Sequence, residues 1–163
     1  MTAATQLKPY ALSRDEGQAI WFLGTLFTVK ATGEQTGGAY MLIEELIPAG
    51  FGPPPHVHHV EEEAFYVLEG ELTVTCGEQT WQAGPGSYVF LPRGIVHGFA
   101  VTSPQPARVL QFNAPAGFEK FAAEMGEPAR VRALPPMAPP DLEKLLRLAA
   151  KHNIELKLPP AEQ

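Results

Sequence analysis

The sequence predicts an all-β fold, a closed barrel or double-sheet jelly roll of about nine short strands, followed by two helices. The first observation is the distribution of turn-forming residues: 15 glycines and 17 prolines among 163 residues are spread between short apolar runs. The second is that these runs are rich in aromatic and β-branched residues, which favour strands. The length suits one domain and no internal repeat is visible, so we expect a single domain over residues 1–163.

The strand candidates follow one another with short gaps and define a barrel core of about residues 18–113. They are 18–31 (two runs divided at Gly24), 39–48, 63–69, 71–77, 79–83, 87–92, 97–102 and 107–113. Gly70 predicts a tight turn, and Gly77-Glu78 predicts a two-residue hairpin. Prolines cannot donate to a sheet ladder, so the Pro-rich segment 49–55 is expected to form a loop.

Residues 114–163 differ in character and predict a helical extension. Segment 117–126 is typical of a helix that ends at glycine, and 141–153 of an amphipathic helix with Asp141 as its N-cap. Its apolar residues at helical spacing are Leu142, Leu145, Leu146 and Ala149. We expect both helices to pack on the barrel through their Leu, Phe and Ala faces.

Composition excludes several classes of protein. Lys and Arg number 12 against 18 Asp and Glu, and such an acidic chain binds nucleic acid poorly because phosphate contacts supply most of that affinity. A single cysteine, Cys76, excludes an intrachain disulfide. The first residues lack the apolar segment of a secretory signal, and the apolar runs are too short to span a membrane. We therefore expect a cytoplasmic protein that binds neither nucleic acid nor membrane.

The spacing of the histidines indicates a metal site. His56 and His58 are two residues apart, so on an extended segment both imidazoles point to the same face. His59 then points away from that face. His97 follows a turn that contains proline and glycine, and it brings a third imidazole from a distant strand.

Three consecutive glutamates are candidates for a carboxylate ligand. Glu63 opens the apolar run 63–69, whereas Glu61 and Glu62 are interpreted as solvated residues of a charged turn. That turn restarts the alternation of the strand, so Glu63 can face the same side as His58. We expect His59, Glu61 and Glu62 not to be metal ligands.

Three imidazoles and one carboxylate suit one divalent transition metal per chain, of Fe, Mn, Ni, Cu or Zn. The set His56, His58, Glu63 and His97 would leave one or two coordination positions for a substrate, as catalytic metal sites do. The sequence does not define which of these metals is bound.

At these residues the chain resembles the cupin superfamily. The first cupin motif matches GFGPPPHVHHVEEEAFYVLEG at Gly50, His56, His58, Glu63 and Gly70. The second matches GSYVFLPRGIVHGFAV at Gly86, Pro92, Gly94 and His97, with Val101 in place of the final Asn. The resemblance implies the cupin double-stranded β-helix, a jelly-roll barrel, and the ligand set above. It does not define the reaction, because one fold supports many chemistries.

A narrower resemblance covers most of the chain from residue 40 onward. The segments PPHVHHVEEEAFYVLEGELTV, LQFNAPAGFEKF and DLEKLLRLAAKHNIELKLPP are similar to single-domain proteins grouped with quercetin 2,3-dioxygenase. This resemblance implies an oxygen-using dioxygenase that acts on a flavonol or similar enol, with Glu63 as both ligand and general base. It implies a small-molecule substrate and dioxygen as partners, and it leaves a homodimer open. Two alternatives remain: a non-oxidative isomerase or lyase, and a non-catalytic small-molecule-binding cupin.

Aromatic residues near the motifs are candidates for a substrate pocket. Phe65 shares strand parity with Glu63, and Phe99 shares it with His97, so both can project toward the metal. Tyr40 and Phe90 are further candidates whose facing the sequence does not define. For any one of these residues, filling the barrel core is the commoner role.

Overall fold

The computed structural model describes residues 6–159, in which twelve strands and three helices are formed. The strands are β1 (Gln18–Phe22), β2 (Thr25–Ala31), β3 (Met41–Ile47), β4 (His56–His58), β5 (Glu62–Glu69), β6 (Leu72–Cys76), β7 (Gln79–Ala83), β8 (Tyr88–Leu91), β9 (His97–Val101), β10 (Ala107–Ala114), β11 (Glu127–Pro128) and β12 (Ile154–Leu156). The helices are α1 (Gly33–Thr36), α2 (Phe118–Met125) and α3 (Leu142–Lys151). Each of these helices is too short or too polar to cross a membrane.

The strands form two antiparallel sheets. One has the order β11-β1-β2-β3-β10-β5-β8, and the other the order β12-β4-β9-β6-β7. From β3 to β10 the chain changes sheet at every connection except the hairpin between β6 and β7, as in a jelly roll. Gly70 makes the turn between β5 and β6 with a φ of +79°, and a Cβ there would lie 2.7 Å from the Cα of Ala107. The predicted all-β jelly-roll fold is confirmed.

Inward-facing side chains form two apolar clusters. One fills the barrel between the sheets and is built from residues such as Ile47, Phe65, Val67, Leu72, Val74, Leu91 and Val109. The other joins β1, β2 and β3 to the helical extension, through Phe22, Phe27, Met41, Phe118, Phe121, Leu145, Leu148 and Ala149. The extension therefore packs on the barrel through Phe, Leu and Ala side chains, as predicted.

The predictions for the elements were incomplete in two respects. Strands β4, β11 and β12 and the one-turn helix α1 were not predicted, since elements of two to four residues are too short to show periodicity. The predicted apolar face of α3 was also wrong in part, because Leu142 and Leu146 are 49% and 43% exposed. The buried face is formed by Leu145, Leu148 and Ala149.

Candidate metal centre

Three strands bring the four candidate ligands together. His56 and His58 lie on β4, and His97 opens β9, where it pairs with His56 in the antiparallel register. Glu63 lies on β5, after a turn of three residues that separates it from β4. One ligand atom from each of the four side chains lies within 4.8 Å of the others. The structure thus brings together all four of the metal ligands predicted from the sequence.

Each of the three imidazoles has a hydrogen bond at Nδ1 to an oxygen that can only accept. The pairs are His56 with the carbonyl of Pro54 (2.8 Å), His58 with Oε1 of Glu61 (2.7 Å) and His97 with the carbonyl of Ile95 (3.1 Å). Nδ1 of each ring therefore carries a hydrogen, and Nε2 is the atom that would bind a metal once it has no proton. Such bonds set the ring orientation and increase the basicity of a metal-ligating histidine.

The Glu63 carboxylate lies among these imidazoles. Its Oε2 atom is 2.9 Å from Nε2 of His97 and 3.2 Å from Nε2 of His58. Burial raises the pKa of the Glu63 carboxyl, but the charges and hydrogen bonds of the two histidines outweigh it and hold this pKa well below the usual range. The centre therefore contains an ionised carboxylate at neutral pH.

The histidines of β4 differ in their pKa. Burial lowers the pKa of His58, but the charge of Glu63 and the hydrogen bonds that the ring donates to Glu61 and Glu63 outweigh burial and raise it to about 9. For His56 burial is the larger effect and lowers the pKa to about 4. The pKa values of these two histidines thus shift in opposite directions, because only His58 is hydrogen-bonded to two carboxylates.

The donor set fits one divalent transition metal. Three imidazole nitrogens and one ionised carboxylate oxygen converge, and three of the four side chains are buried. Such mixed nitrogen and oxygen ligands suit Fe, Mn, Ni, Cu or Zn. The hydrogen bonds at Nδ1 provide the supporting contacts that metal-ligating histidines require.

Glu61 does not have the solvated position expected from the sequence. It is only 6% exposed, and its side chain is directed to His58 rather than to solvent. Glu61 is buried because the turn after β4 folds it back against the His58 ring. His59 is exposed, and Glu62 pairs with Arg93 at 2.7 Å, so both lie away from the ligand cluster.

A cavity of about 80 Å³ adjoins the candidate ligands. Its aromatic wall is formed by Phe22, Phe27, Phe51, Phe99, Phe118 and Phe121. The helical extension closes part of it with Leu145, Ile154 and Leu156. His56, His58 and Glu63 contribute the polar surface on the metal side.

The predicted pocket residues are divided between this cavity and the surface. Phe99 lines the cavity. Phe65 is buried in the barrel core, and its ring centroid lies 5.3 Å from that of Phe99. Tyr40 and Phe90 are 37% and 48% exposed, so their assignment to the pocket was wrong. Phe90 lies on the outward face of β8, and Tyr40 precedes β3 and stacks on Phe112 at 5.2 Å.

Sequence reasoning missed three polar residues that line the cavity: Thr25, Glu45 and Gln111. The available signal was strand parity. Glu45 has the same parity as Met41, Ile43 and Ile47 in β3, so it faces inward among apolar residues.

Comparison with known proteins agrees with this architecture. Residues 42–112 match the family model described as the cupin domain. Among solved structures, the polyketide cyclase RemF from Streptomyces resistomycificus superposes with a TM-score of 0.56 at 25% identity, over 66% of this chain and 80% of that one.

Two curated relatives are quercetin 2,3-dioxygenases. That of Bacillus subtilis (strain 168) is 28% identical over 120 residues, which cover 74% of this chain and 35% of that protein. That of Aspergillus japonicus is 26% identical over 132 residues, which cover 76% and 37%. The matched region thus spans little more than a third of these relatives. The family model, the motifs and the fold agree in supporting a member of the cupin superfamily that resembles its quercetin 2,3-dioxygenase-like group.

Proposed function

We propose that this cupin is a metal-dependent enzyme that acts on a small enol and uses dioxygen as co-substrate. The observation that carries the proposal is the ionised Glu63 carboxylate, which lies among three imidazoles beside an aromatic cavity. The similarity to quercetin 2,3-dioxygenases supports the choice of an enol as substrate.

The protein's part in the reaction is to bind the enol, orient it and accept its proton. A divalent metal bound to His56, His58, Glu63 and His97 would supply Lewis acidity, which lowers the pKa of an enol hydroxyl. Glu63 accepts the hydroxyl proton on its carboxylate, since a general base must be unprotonated before the transfer. The aromatic wall that includes Phe99 excludes water from the reacting atoms.

The size of the cavity bears on the substrate. At about 80 Å³ it is smaller than typical ligand pockets, which measure about 300–1,000 Å³. A compact enol is therefore favoured over a flavonol. A flavonol would enter only if the segment that carries Phe118, Leu145 and Ile154 moved away from the barrel.

A second candidate is a non-oxidative reaction that begins with the same proton transfer. The observation that favours it is the superposition on a polyketide cyclase at 25% identity. In this case Glu63 would return its proton to another atom of the substrate, which gives isomerisation or cyclisation without dioxygen. The two candidates share their first step and differ in their need for oxygen.

The test is oxygen consumption by the metal-loaded protein with a panel of small enols and one flavonol. We expect consumption with a small enol, and a loss of about 10²- to 10⁴-fold in rate for Glu63→Gln at equal metal content, because an amide cannot accept the proton. The matched control is His59→Ala, an exposed position outside the ligand cluster. Product formation without oxygen consumption would select the non-oxidative candidate, and an unchanged rate in Glu63→Gln would refute its role as base.

A further inference from the structure

The cavity has a second polar group of residues besides the metal ligands. Thr25, Glu45 and Gln111 lie on β2, β3 and β10, which are neighbours in the seven-stranded sheet. All three side chains are buried and line the cavity that is otherwise aromatic and aliphatic. A few polar groups in an apolar pocket are what orient a bound ligand.

Glu45 is the titratable member of this group. Its side chain is 4% exposed, and within residues 6–159 no lysine, arginine or histidine forms an ion pair with it. Burial and the negative charge of Glu63 outweigh a hydrogen bond with Thr25 and raise the pKa of Glu45 to about 8. The side chain is thus a neutral acid at neutral pH, with one O–H donor and one carbonyl acceptor.

Thr25 and Gln111 are the other polar residues of this wall, and Thr25 forms a hydrogen bond with the Glu45 carboxyl. The Thr25 hydroxyl donates to the carbonyl of Phe22 at 2.6 Å. The Gln111 amide donates to Oδ1 of Asn113 at 2.9 Å. These bonds hold both side chains in place, and the Glu45 carboxyl keeps hydrogen-bonding capacity beyond its bond with Thr25.

The fold itself does not require an acid at this position. The other inward residues of β3 are Met41, Ile43 and Ile47, which are fully buried and apolar. A buried polar group without strong partners costs stability relative to an apolar one of similar size. A ligand in the cavity would supply the hydrogen bonds that Thr25 does not.

We propose that Glu45 is a specificity-determining residue that binds a second hydroxyl of the substrate, remote from the oxygen that faces Glu63. A hydroxyl both donates and accepts, so it matches the two functions of a neutral carboxyl. The inference rests on the proposed function, because it takes the enol oxygen to be bound on the metal side. It narrows the substrate class to compact enols that carry a further hydroxyl across the molecule.

The experiment compares two hydroxypyranones that differ in that one hydroxyl. Kojic acid carries a hydroxymethyl group where allomaltol carries a methyl group, and both present the same enol beside a carbonyl. Binding is measured by calorimetry with the zinc-loaded protein, so that no oxidation occurs. We expect kojic acid to bind the parent protein about 3- to 10-fold more tightly than allomaltol, the range for one hydrogen bond.

The variants separate recognition from stability. Glu45→Leu should weaken the binding of kojic acid more than that of allomaltol and so remove the preference, whereas Glu45→Gln should keep it, because an amide also donates and accepts. Glu44→Gln, on the outward face of the same strand, is the control and should keep the preference. Equal affinity of the parent protein for both compounds would overturn the role of Glu45 but not the proposed function. An equal decrease in affinity for both compounds in Glu45→Leu would do the same. Failure of both to bind would overturn this role and the proposed function together, while a retained preference without turnover would count only against the proposed function.

Discussion

Nδ1 of His58 lies 2.7 Å from Oε1 of Glu61, and both side chains are buried. The bond joins the candidate metal centre to the turn between β4 and β5. It sets the tautomer of His58 and directs Nε2 toward Glu63, from which it is 3.2 Å away. A carboxylate behind a ligating histidine orients the ring and increases its basicity.

From this bond we predict that Glu61→Ala weakens metal binding by about 10- to 100-fold, although Glu61 is not itself a ligand. The sequence alone, which places Glu61 in a solvated turn, predicts almost no change. The measurement is competition for metal against a chelator of known affinity. His59→Ala, which removes an exposed imidazole two residues away, is the control and should retain the parent affinity. If the two variants behaved alike, the buried bond would have no part in metal binding.

The packing of α3 gives a prediction about stability. Leu148 is 3% exposed and Leu146 is 43% exposed, although both are leucines on the same helix. Leu148→Ala should lower the free energy of unfolding by about 2–5 kcal/mol, because it leaves a cavity in the core. Leu146→Ala should lower the free energy of unfolding much less. Denaturant unfolding of both variants checks this, and a larger loss for Leu146→Ala would show that the helix presents the other face.

The Glu45 carboxyl gives a prediction about pH. Its pKa in the fold is raised to about 8 from the model-peptide value of 4.5. Above pH 4.5 the unfolded chain loses this proton while the folded chain retains it, so the group favours unfolding increasingly up to pH 8.

The variant Glu45→Gln has no ionisable group at this position, so a comparison with the parent isolates the effect of Glu45 ionisation on stability. In chelator-treated protein, the free energy of unfolding of the parent should fall relative to this variant by about 1.4 kcal/mol per pH unit within that range. His56, His58 and Glu63 face the same cavity and titrate in both proteins, so the difference between the two curves reports Glu45. Parallel curves from pH 4.5 to 8 would mean that Glu45 ionises normally in the fold.

Much of the fold was predictable because its signals are local. Runs of aromatic and β-branched residues between turn glycines mark β5, β6 and β7, and Asp141 accepts a hydrogen bond from the backbone of Lys144 as an N-cap. The two-residue spacing of His56 and His58 was enough to place both rings together, because alternation along a strand is a property of the backbone.

Other features depend on contacts between distant segments and have no local signal. Strand β12 exists because it pairs with β4, where Ile154 lies opposite His58. The buried face of α3 was ambiguous since apolar residues occur on more than one side of the helix, and docking selects Leu148 over Leu146. The facing of Phe90 was not defined by the sequence, and in the fold it lies on the exposed face of β8.

The central claim is that His56, His58, Glu63 and His97 bind one transition metal per chain. The most direct test is anomalous diffraction at the metal absorption edge, on crystals of protein purified without chelator from cells grown in metal-replete medium. We predict a single anomalous peak per chain, surrounded by Nε2 of the three histidines and the carboxylate of Glu63. The absence of such a peak, or a peak at a different group of residues, would contradict it.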